Sequence, residues 1–268
     1  MKNIIKRAIH RILNKAGCSI IKNELRNKIP SFAYLWSDLS EQQKLFVAQY
    51  LPHSKSQFAQ DLFVISELAN RAIEPFFVEF GATDGIQLSN TFLLEKRLGW
   101  KGILAEPAKV WHEQLSKNRG CAVDHRCVTD STGKQVEFLE VGAPTEEFAT
   151  STPELSTVAS FAGSGDWASD IRGKNSRKYM VEAVSLNDLL KGHNAPKKIG
   201  YLSLDTEGSE LAILKGFDFA NYSIEIITVE HNYIPEVRSG IHELLTRNGF
   251  TRKHETVSAV DDWYVRKQ

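Results

Sequence analysis

The sequence predicts an α/β fold with a mostly parallel sheet that finishes in an antiparallel hairpin. From Phe76 onwards, short apolar runs rich in β-branched residues alternate with stretches of helical periodicity. That alternation is typical of a parallel sheet with helices packed on it. The last two strand-like runs, residues 250–256 and 259–266, have no helix between them. They are therefore expected to pair antiparallel.

The composition is that of one large globular domain with additions, or of two small domains. The chain has 268 residues, 42% of them hydrophobic, and a formal net charge of zero, so no overall basic surface for nucleic acid is expected. Three cysteines without a C-x-x-C pair argue against a disulfide framework and a structural zinc site. No apolar run approaches the roughly 18 residues of a membrane span, and no secretory signal is recognised. We therefore expect a cytoplasmic protein that does not bind nucleic acid.

A basic amphipathic helix is predicted for residues 1–23, within an N-terminal helical segment of residues 1–55. Apolar residues recur along one helical stripe, and every charged residue before Glu24 is basic. The basic residues are Lys2, Lys6, Arg7, Arg11, Lys15 and Lys22. Such a helix lies either on the anionic inner face of a membrane or against the protein's own domain. The sequence does not choose between these two partners.

Peripheral helices are expected over residues 30–70. Asp38 or Ser40 can cap a first helix, which Pro52 ends. A second helix is predicted to begin at Ser56, where the main domain of residues 56–268 starts.

The main domain is organised around the stretch FFVEFGATDG. A buried strand over residues 76–80 is expected to lead through a glycine turn into a helix. The turn has the spacing Glu79-x-Gly81-x-x-x-Gly85 and lacks the middle glycine of a dinucleotide-binding turn. Glycine lets the backbone approach a ligand closely. The acids Glu79 and Asp84 suit a ligand with hydroxyls, an amine or a positive centre, and would repel a pyrophosphate.

The next helix and strand extend this site. A helix is predicted over residues 87–98, with Asn90 in its first turn. A second strand begins at Lys101 and ends in Glu106, which Pro107 follows. An acid at the end of the strand after the glycine turn can accept hydrogen bonds from both hydroxyls of a ribose.

The remaining elements continue the alternation, with one long interruption. Residues 142–175 are rich in Gly, Pro, Ser and Thr, which predicts a loop insertion that is either a functional lid or a mobile surface segment. The other predicted elements are helices over residues 109–117, 185–190 and 236–248, and strands over residues 121–128, 136–141, 200–204 and 223–230.

Four predicted strands end in polar side chains that should meet at one edge of the sheet. These are Glu79 with Asp84, then Glu106, then Asp205 with Glu207, and Glu230 with His231. Together they outline an acidic pocket that can accept hydrogen bonds from a ribose and stabilise a cation. S-adenosylmethionine has both a ribose and a sulfonium, so we expect it as the cofactor.

Asp205, Glu207 and His231 are the candidate catalytic residues. An alkyl hydroxyl must lose its proton as it accepts a methyl group, and any of the three can take that proton. Alternatively, the carboxylates hold Mg²⁺, which lowers the pKa of the hydroxyl. The sequence slightly favours the metal-free base, because no local motif has the spacing of a metal-binding site. No residue is therefore assigned as a metal ligand.

Several of these stretches resemble the FkbM family of S-adenosylmethionine-dependent methyltransferases. The matching segments are VEFGATDG at residues 78–85, LSNT at 88–91, LEKRLGWKGILAEP at 94–107, VSLNDLL at 184–190 and LSLDTEGSEL at 202–211. Their order and spacing make the resemblance specific over about residues 56–265.

The resemblance implies a Rossmann-like class I methyltransferase fold with a mostly parallel seven-stranded sheet and a C-terminal antiparallel hairpin. It also implies O-methylation of a hydroxyl, commonly on a sugar of a bacterial cell-surface polysaccharide or a glycolipid. The acceptor is then a glycan or another small hydroxyl compound. The residues expected to bind the cofactor are Glu79, Gly81, Ala82, Asp84, Gly85, Asn90, Glu106, Pro107, Cys127 and Asp205.

Two other functions stay open on the sequence. One is a nicotinamide-dependent oxidoreductase, which the missing middle glycine and the position of Asp84 disfavour. The other is a non-catalytic, membrane-attached adaptor with a methyltransferase-like domain, against which the full set of strand-end acids argues.

Overall fold

Strands and helices alternate along the chain as the sequence predicts. The computed structural model describes residues 28–142, 153–163, 168–174, 176–255, 257–258 and 260–267. The strands are β1 (Phe76–Phe80), β2 (Lys101–Ala105), β3 (Ala122–Asp124), β4 (Cys127–Thr129), β5 (Gln135–Val141), β6 (Thr157–Val158), β7 (Ser176–Ser185), β8 (Lys198–Leu204), β9 (Ser223–Glu230), β10 (Phe250–Lys253) and β11 (Asp261–Arg266). The α-helices are α1 (Lys28–Asp38), α2 (Glu41–Ala48), α3 (Gln60–Leu68), α4 (Phe92–Leu98), α5 (His112–Asn118), α6 (Ser169–Lys174), α7 (Leu186–Gly192), α8 (Glu210–Lys215) and α9 (Pro235–Arg247).

The main sheet has the strand order β10-β11-β9-β8-β1-β2-β3. The strands from β3 to β9 in this order pair parallel, whereas β11 is antiparallel to both β9 and β10. This confirms the predicted mixed α/β fold with a large, mostly parallel sheet. The order reverses between β1 and β8, and a sheet of this type binds ligands at the carboxyl ends of the strands beside that switch point.

Apolar side chains cover both faces of the main sheet because consecutive strand residues point to opposite sides. Val78 and Phe80 of β1 pack in one core cluster with α7, α8 and α9, and Phe77 packs in the other with α3 and α4. A strand buried on both faces must be apolar almost throughout. The buried Glu79 is therefore an exception that requires a partner on its own face.

Helix α3 is not peripheral, contrary to the expectation for residues 30–70. Every residue from Gln60 to Ser66 is buried, because the helix packs directly on the sheet. Leu35 and Val47, from α1 and α2, belong to the same core cluster. The domain boundary placed between residues 55 and 56 stays a prediction.

Two elements begin later than the sequence predicts, because polar residues near their expected starts bind elsewhere. Helix α4 begins at Phe92, not residue 87, since Ser89, Asn90 and Thr91 donate hydrogen bonds to Glu79. Helix α3 begins at Gln60, not Ser56. Ser56 instead forms a parallel bridge with Leu88.

The predicted strand over residues 121–128 is wrong as a single element. It is divided into β3 and β4, which lie in different sheets. Oδ1 of Asp124 accepts a hydrogen bond from the backbone N–H of Arg126 at 2.9 Å, and the Arg126 guanidinium binds the same carboxylate. This local turn redirects the chain between the two strands.

A second, four-stranded sheet of order β4-β7-β5-β6 lies beside the main sheet. Its strand β7 was not predicted. The expected loop over residues 142–175 is wrong for its described parts, 153–163 and 168–174, which contain a short 3-10 helix (Pro153–Leu155), β6 and α6. Phe138 and Cys127 of this sheet join Ala108 and Val158 in a small apolar cluster.

The predicted amphipathic helix of residues 1–23 lies outside the described residues. In the part of the chain that the structure describes, no helix combines the length and the apolar character needed to span a bilayer.

Candidate active site

The site lies where the turn after β1 meets the end of β8, at the switch point of the main sheet. Gly81 adopts a φ of +72°, and a Cβ on it would stand 2.1 Å from the backbone oxygen of Asp205. Only glycine permits this approach, since any side chain would collide with main-chain atoms. Gly81 therefore brings the β1 turn and Asp205 together, and both residues line the cleft.

The cleft has two compartments that share part of their lining. One, called here the Glu106 compartment, encloses about 500 Å³. The other, called the acidic compartment, encloses about 860 Å³. The shared residues are Phe80, Gly81, Thr83, Glu154, Asp205 and Glu207. A ligand can thus extend from one compartment into the other past Gly81 and Asp205.

Glu106 is the polar centre of the first compartment. Its Oε2 accepts a hydrogen bond from the backbone N–H of Thr83 at 2.9 Å, and its Oε1 accepts one from Ala108 at 2.8 Å. Burial raises the pKa of Glu106 to about 7. Each carboxylate oxygen has a second lone pair, so Glu106 retains acceptor capacity towards the cleft.

Apolar side chains surround this carboxylate. Cys127, Val128, Phe138 and Trp111 line the same compartment. Burial raises the pKa of the Cys127 thiol to about 12, so the sulfur behaves as a small apolar group rather than a nucleophile. The compartment therefore suits a flat apolar group attached to a hydroxyl-bearing ring.

Glu79 also lines the cleft, but its carboxylate is largely occupied by the protein. Its oxygens accept hydrogen bonds from the backbone N–H of Asn90 at 2.6 Å, from Ser89 at 2.9 Å and from Thr91 at 2.5 Å. Nη1 of Arg119 lies 3.6 Å from its Oε2. Glu79 thus fixes the segment between the β1 turn and α4.

The carboxylates of Asp205, Glu207 and Glu230 converge in the acidic compartment. One oxygen of each lies within 4.8 Å of one oxygen of each of the others. Burial, with the charge of Glu210, raises the pKa of Asp205 to about 7. Burial and the nearby charges of Asp205 and Glu207 raise the pKa of Glu230 well above its usual range. Like charges this close demand protons or a cation between them.

Glu207 has protein partners that the other two acids lack. Its Oε2 is paired with the buried guanidinium of Arg172 and accepts a hydrogen bond from Asn232 at 3.3 Å. Its backbone is left-handed, with a φ of +60°, an unfavourable conformation for a non-glycine residue. Arg172 reaches it from α6 and also donates to the backbone oxygen of Leu155.

A smaller inner compartment adjoins the acidic one and shares Gln57, Asn90, Asp205, Glu230 and Val260 with it. Within the described residues, three buried oxygens on its lining residues have no hydrogen-bond partner: Oδ1 of Asn90, Oε2 of Glu230 and Oδ1 of Asp261. All three are acceptors, because the Asn90 amide nitrogen donates to Ser203. The inner compartment is therefore built for a ligand that brings donors or positive charge.

The structure separates the predicted cofactor residues into two groups. Seven line the cleft: Glu79, Gly81, Asn90, Glu106, Pro107, Cys127 and Asp205. The other three do not line its described compartments: Ala82, Asp84 and Gly85.

Each of these three residues has a structural role instead. Ala82 packs in the core. Oδ1 of Asp84 accepts hydrogen bonds from the backbone N–H groups of Ile86 and Gln87. Gly85 makes room for Arg119, whose Cγ would stand 2.6 Å from a Cβ at this position.

His231 is not brought together with the candidate catalytic carboxylates. It is buried, its Nδ1 accepts a hydrogen bond from the backbone N–H of Tyr233, and its Nε2 lies 3.7 Å from Oδ1 of Asp262. It does not line the compartments described above. Consecutive residues at the end of a strand point to opposite sides, so the side chains of Glu230 and His231 face different surroundings.

Sequence reasoning missed several residues of the site. Phe138 and Trp111 come from elements outside the strand-end pattern, and Arg172 lies in the segment expected to be a loop. Arg119 donates to Gly85, Ser89, Thr91 and Glu95, and it carries no motif of its own. Gln57 was not missed: it belongs to the polar helix start that the sequence offers as a possible border of a ligand site, and it lines the acidic and inner compartments.

The comparisons with known proteins give a family match and similarities to solved structures. The family model for the methyltransferase FkbM domain matches residues 79–252, more than half of the chain. A crystal structure of methyltransferase FkbM from Methylobacillus flagellatus is similar at 14% identity and a TM-score of 0.45, covering 97% of this chain and 70% of that one. A protein of Pyrococcus horikoshii described as a candidate RNA methyltransferase has 15% identity and a TM-score of 0.36, covering 91% and 99%. The search of curated proteins found no match.

The family match spans β1, the glycine turn, Glu106 and the strand ends with Asp205 and Glu230. It therefore includes all the strand ends that form the cleft, and the chain belongs to the FkbM methyltransferase family.

Proposed function

We propose that this protein is an S-adenosylmethionine-dependent O-methyltransferase that acts on a hydroxyl of a sugar, in a bacterial cell-surface polysaccharide or a glycolipid. One observation carries the proposal. A compartment with a buried carboxylate and apolar walls joins a compartment with three converging carboxylates, at the Gly81–Asp205 contact.

The residues of the cleft fit the chemical groups of S-adenosylmethionine. Glu106 would accept hydrogen bonds from the ribose, and the apolar walls around Phe138 and Trp111 would pack on the base. The acidic compartment would stabilise the sulfonium through its field. Gly81 holds the β1 turn against Asp205, so that the two compartments adjoin and one ligand can occupy both.

The reaction needs alignment and the removal of one proton. The cofactor supplies a methyl group on a positively charged sulfur, which becomes a neutral thioether when the hydroxyl oxygen takes the methyl. The C–O bond forms as the C–S bond breaks, and the electrons of the C–S bond stay on sulfur. The hydroxyl proton passes to a carboxylate. Asp205 and Glu207 both line the two compartments, and Asp205 is the better base because Glu207 is paired with Arg172.

Polar side chains near these acids support a sugar as the acceptor. Gln57, Asn90 and Asn232 line the acidic compartment. Amide side chains both donate and accept hydrogen bonds, as the neighbouring hydroxyls of a sugar ring do. A compartment with acids and amides therefore suits a polyhydroxylated acceptor better than an apolar one.

The location that fits such a substrate is the cytoplasm, at the inner face of the membrane where lipid-linked glycans are available. The basic stripe of residues 1–23 supports this proposal. Unpaired Cys121 and Cys127 are compatible with a reducing compartment.

Labelled S-adenosylmethionine and cell-envelope polysaccharide test the function directly. We expect label in the glycan fraction, and we expect Asp205→Asn to reduce turnover at least about a hundredfold, the usual contribution of a general base. Affinity of Asp205→Asn for S-adenosylhomocysteine should stay within a few-fold of the wild type. Asp130→Asn, at an exposed aspartate, is the matched control and should leave both quantities unchanged.

Three outcomes would contradict the proposal. Near-normal turnover of Asp205→Asn would remove Asp205 from the chemistry. Tight binding of NADH without binding of S-adenosylhomocysteine would favour an oxidoreductase. Cofactor binding without transfer to any glycan fraction would favour the non-catalytic adaptor.

A further inference from the structure

The acidic and inner compartments contain more negative charge than the protein neutralises. Asp205, Glu230 and Asp261 line the inner compartment together. Among the ion pairs of the described residues, none includes these three acids, whereas Glu207 is paired with Arg172. Carboxylates removed from water without a positive partner are costly, so the arrangement indicates a missing cation.

The geometry of the cluster fits a single ion. Oxygens of Asp205, Glu207 and Glu230 lie within 4.8 Å of one another. Even at this limiting separation, an ion at the centre would lie about 2.8 Å from each oxygen, so small side-chain adjustments bring all three to the roughly 2.0–2.6 Å of Mg²⁺ or Ca²⁺ coordination. Arg172 and Asn232 bind Oε2 of Glu207, which fixes the position of this carboxylate in the cluster.

A second observation, on a residue outside the cluster, also points to a ligand. Asn90 is only 7% exposed and lines both the acidic and the inner compartment, and its Oδ1 has no hydrogen-bond partner within the described residues. Oδ1 of Asp261 and Oε2 of Glu230, on two other lining residues of the inner compartment, are also buried without a partner among those residues. Buried acceptors without a partner are rare in native structures, so these oxygens point to a ligand that brings donors or positive charge.

The ligand chemistry selects the class of ion. The lining of the acidic and inner compartments offers carboxylate, amide and hydroxyl oxygens and contains no histidine or cysteine. Oxygen-only sites prefer Mg²⁺, Mn²⁺ or Ca²⁺ over zinc or copper. Two or three uncompensated carboxylates also match a double positive charge better than a single one.

We propose that Asp205, Glu207 and Glu230 bind one divalent cation of the Mg²⁺ or Mn²⁺ type, beside the inner compartment that Asn90 and Asp261 line. If the proposed methyl transfer is correct, the ion holds the acceptor hydroxyl beside the Gly81 turn and lowers its pKa by Lewis acidity. The sequence alone slightly favoured a metal-free base. The convergence of three acids from two strand ends, with unpaired oxygens beside them, reverses that preference.

Manganese binding tests the site without cofactor or acceptor. The full chain is stripped with EDTA and titrated with Mn²⁺, and bound and unbound Mn²⁺ are measured by electron paramagnetic resonance. We expect about one ion per chain, displaced by Mg²⁺, and an affinity at least about tenfold weaker in Glu230→Gln. Glu236→Gln, at an exposed glutamate on α9, should bind as the wild type does.

Thermal unfolding separates loss of the site from loss of the fold. In EDTA, Glu230→Gln should melt at the same temperature as the wild type or higher, because the substitution removes a buried carboxyl group that is crowded by Asp205 and Glu207 and has no cation beside it. Added Mg²⁺ should raise the melting temperature of the wild type and of Glu236→Gln, but not that of Glu230→Gln. Equal Mn²⁺ binding by Glu230→Gln and the wild type, or no binding at millimolar Mn²⁺, would overturn the proposal.

Activity in EDTA and Mn²⁺ binding distinguish the cation site from the proposed methyl transfer. Methyl transfer at full rate by the stripped enzyme in EDTA would end the metal proposal and leave the methyltransferase proposal standing. Mn²⁺ binding that depends on Glu230, without transfer to any glycan, would leave the cation site standing and end the proposed acceptor class.

Discussion

At the scale of single residues, two buried acids that both lie at strand ends have different roles. Glu79 and Glu106 both occupy strand ends next to the glycine turn. Four hydroxyl, amide or guanidinium groups surround Glu79, whereas Glu106 accepts only two backbone hydrogen bonds from the described residues. Glu79 therefore stabilises the local fold, and Glu106 is the acid with capacity left for a ligand.

Glu106→Ala should weaken S-adenosylhomocysteine binding at least about tenfold. The substitution removes the ribose acceptor and leaves the N–H groups of Thr83 and Ala108 unpaired, which costs on the order of 1–3 kcal/mol. Isothermal titration calorimetry measures the affinity. Glu113→Ala, at an exposed side chain on α5, is the control. Unchanged affinity in Glu106→Ala would place the ribose elsewhere.

At the scale of elements, the β1 turn is held in place from a distant part of the chain. The Arg119 side chain is fully buried and donates from beyond α5 to Glu95, Gly85, Ser89 and Thr91. Its guanidinium also lies over the Phe77 and Phe92 rings. Arg119 thus joins β1, the turn and α4 into one rigid unit behind the cleft.

Arg119→Met should destabilise the fold more than any exposed arginine substitution. Methionine fills a similar volume but leaves the buried Glu79 without its cation. Breaking a buried pair by removing one partner costs about 3–5 kcal/mol. Urea unfolding gives the free energy, with the exposed Arg97→Met as the control. Equal unfolding free energies for the two variants would show that the turn does not depend on Arg119.

At the scale of the whole molecule, the cleft concentrates acids whose ionisation opposes folding. Burial raises the pKa of Glu106 and of Asp205 to about 7, and that of Asp261 to about 6. A folded state with raised carboxyl pKa values binds more protons than the unfolded chain. The contribution of these groups to the free energy of unfolding is therefore fully present below their pKa values in the unfolded chain. It is lost as the pH rises through 6 to 7.

The ligand-free protein in EDTA should accordingly lose unfolding free energy between about pH 5 and pH 8. The ionisation of Glu106 alone lowers the free energy of unfolding by an amount on the order of 3 kcal/mol, so Glu106→Gln should show a shallower decline. Glu95 and Asp124, whose pKa values fall to about 2, lose their stabilising contribution only at much lower pH. Denaturant titrations across this pH range give the free energy of unfolding of the wild type and of Glu106→Gln. Identical pH slopes would mean that Glu106 does not titrate there.

The whole molecule also includes residues 1–23, whose sequence predicts either membrane or domain contact. If they bind a membrane, the protein should bind vesicles with anionic lipid and lose that binding as salt increases. Vesicle flotation measures this, with neutral vesicles and a chain lacking residues 1–23 as controls. Equal binding to neutral vesicles, or no binding at all, would favour packing of the segment on the domain.

The sequence determined what depends on local pattern and chain order. Apolar runs, glycine positions and strand-end acids identify β1, β2, β8 and β9 and the edge at which their side chains meet, because parallel strands place their carboxyl ends together. The same pattern identified Glu106 and Asp205 as lining residues, and the family match confirmed the resemblance.

Only the tertiary structure decided which way each side chain points and what it meets. His231 follows Glu230 directly but faces Asp262, Asp84 caps its own turn, and Phe138 and Arg172 reach the cleft from a second sheet and helix α6. The three unpaired oxygens of the inner compartment come from residues far apart in the chain. Their shared surroundings are a property of packing between distant segments, which local propensity and periodicity do not contain.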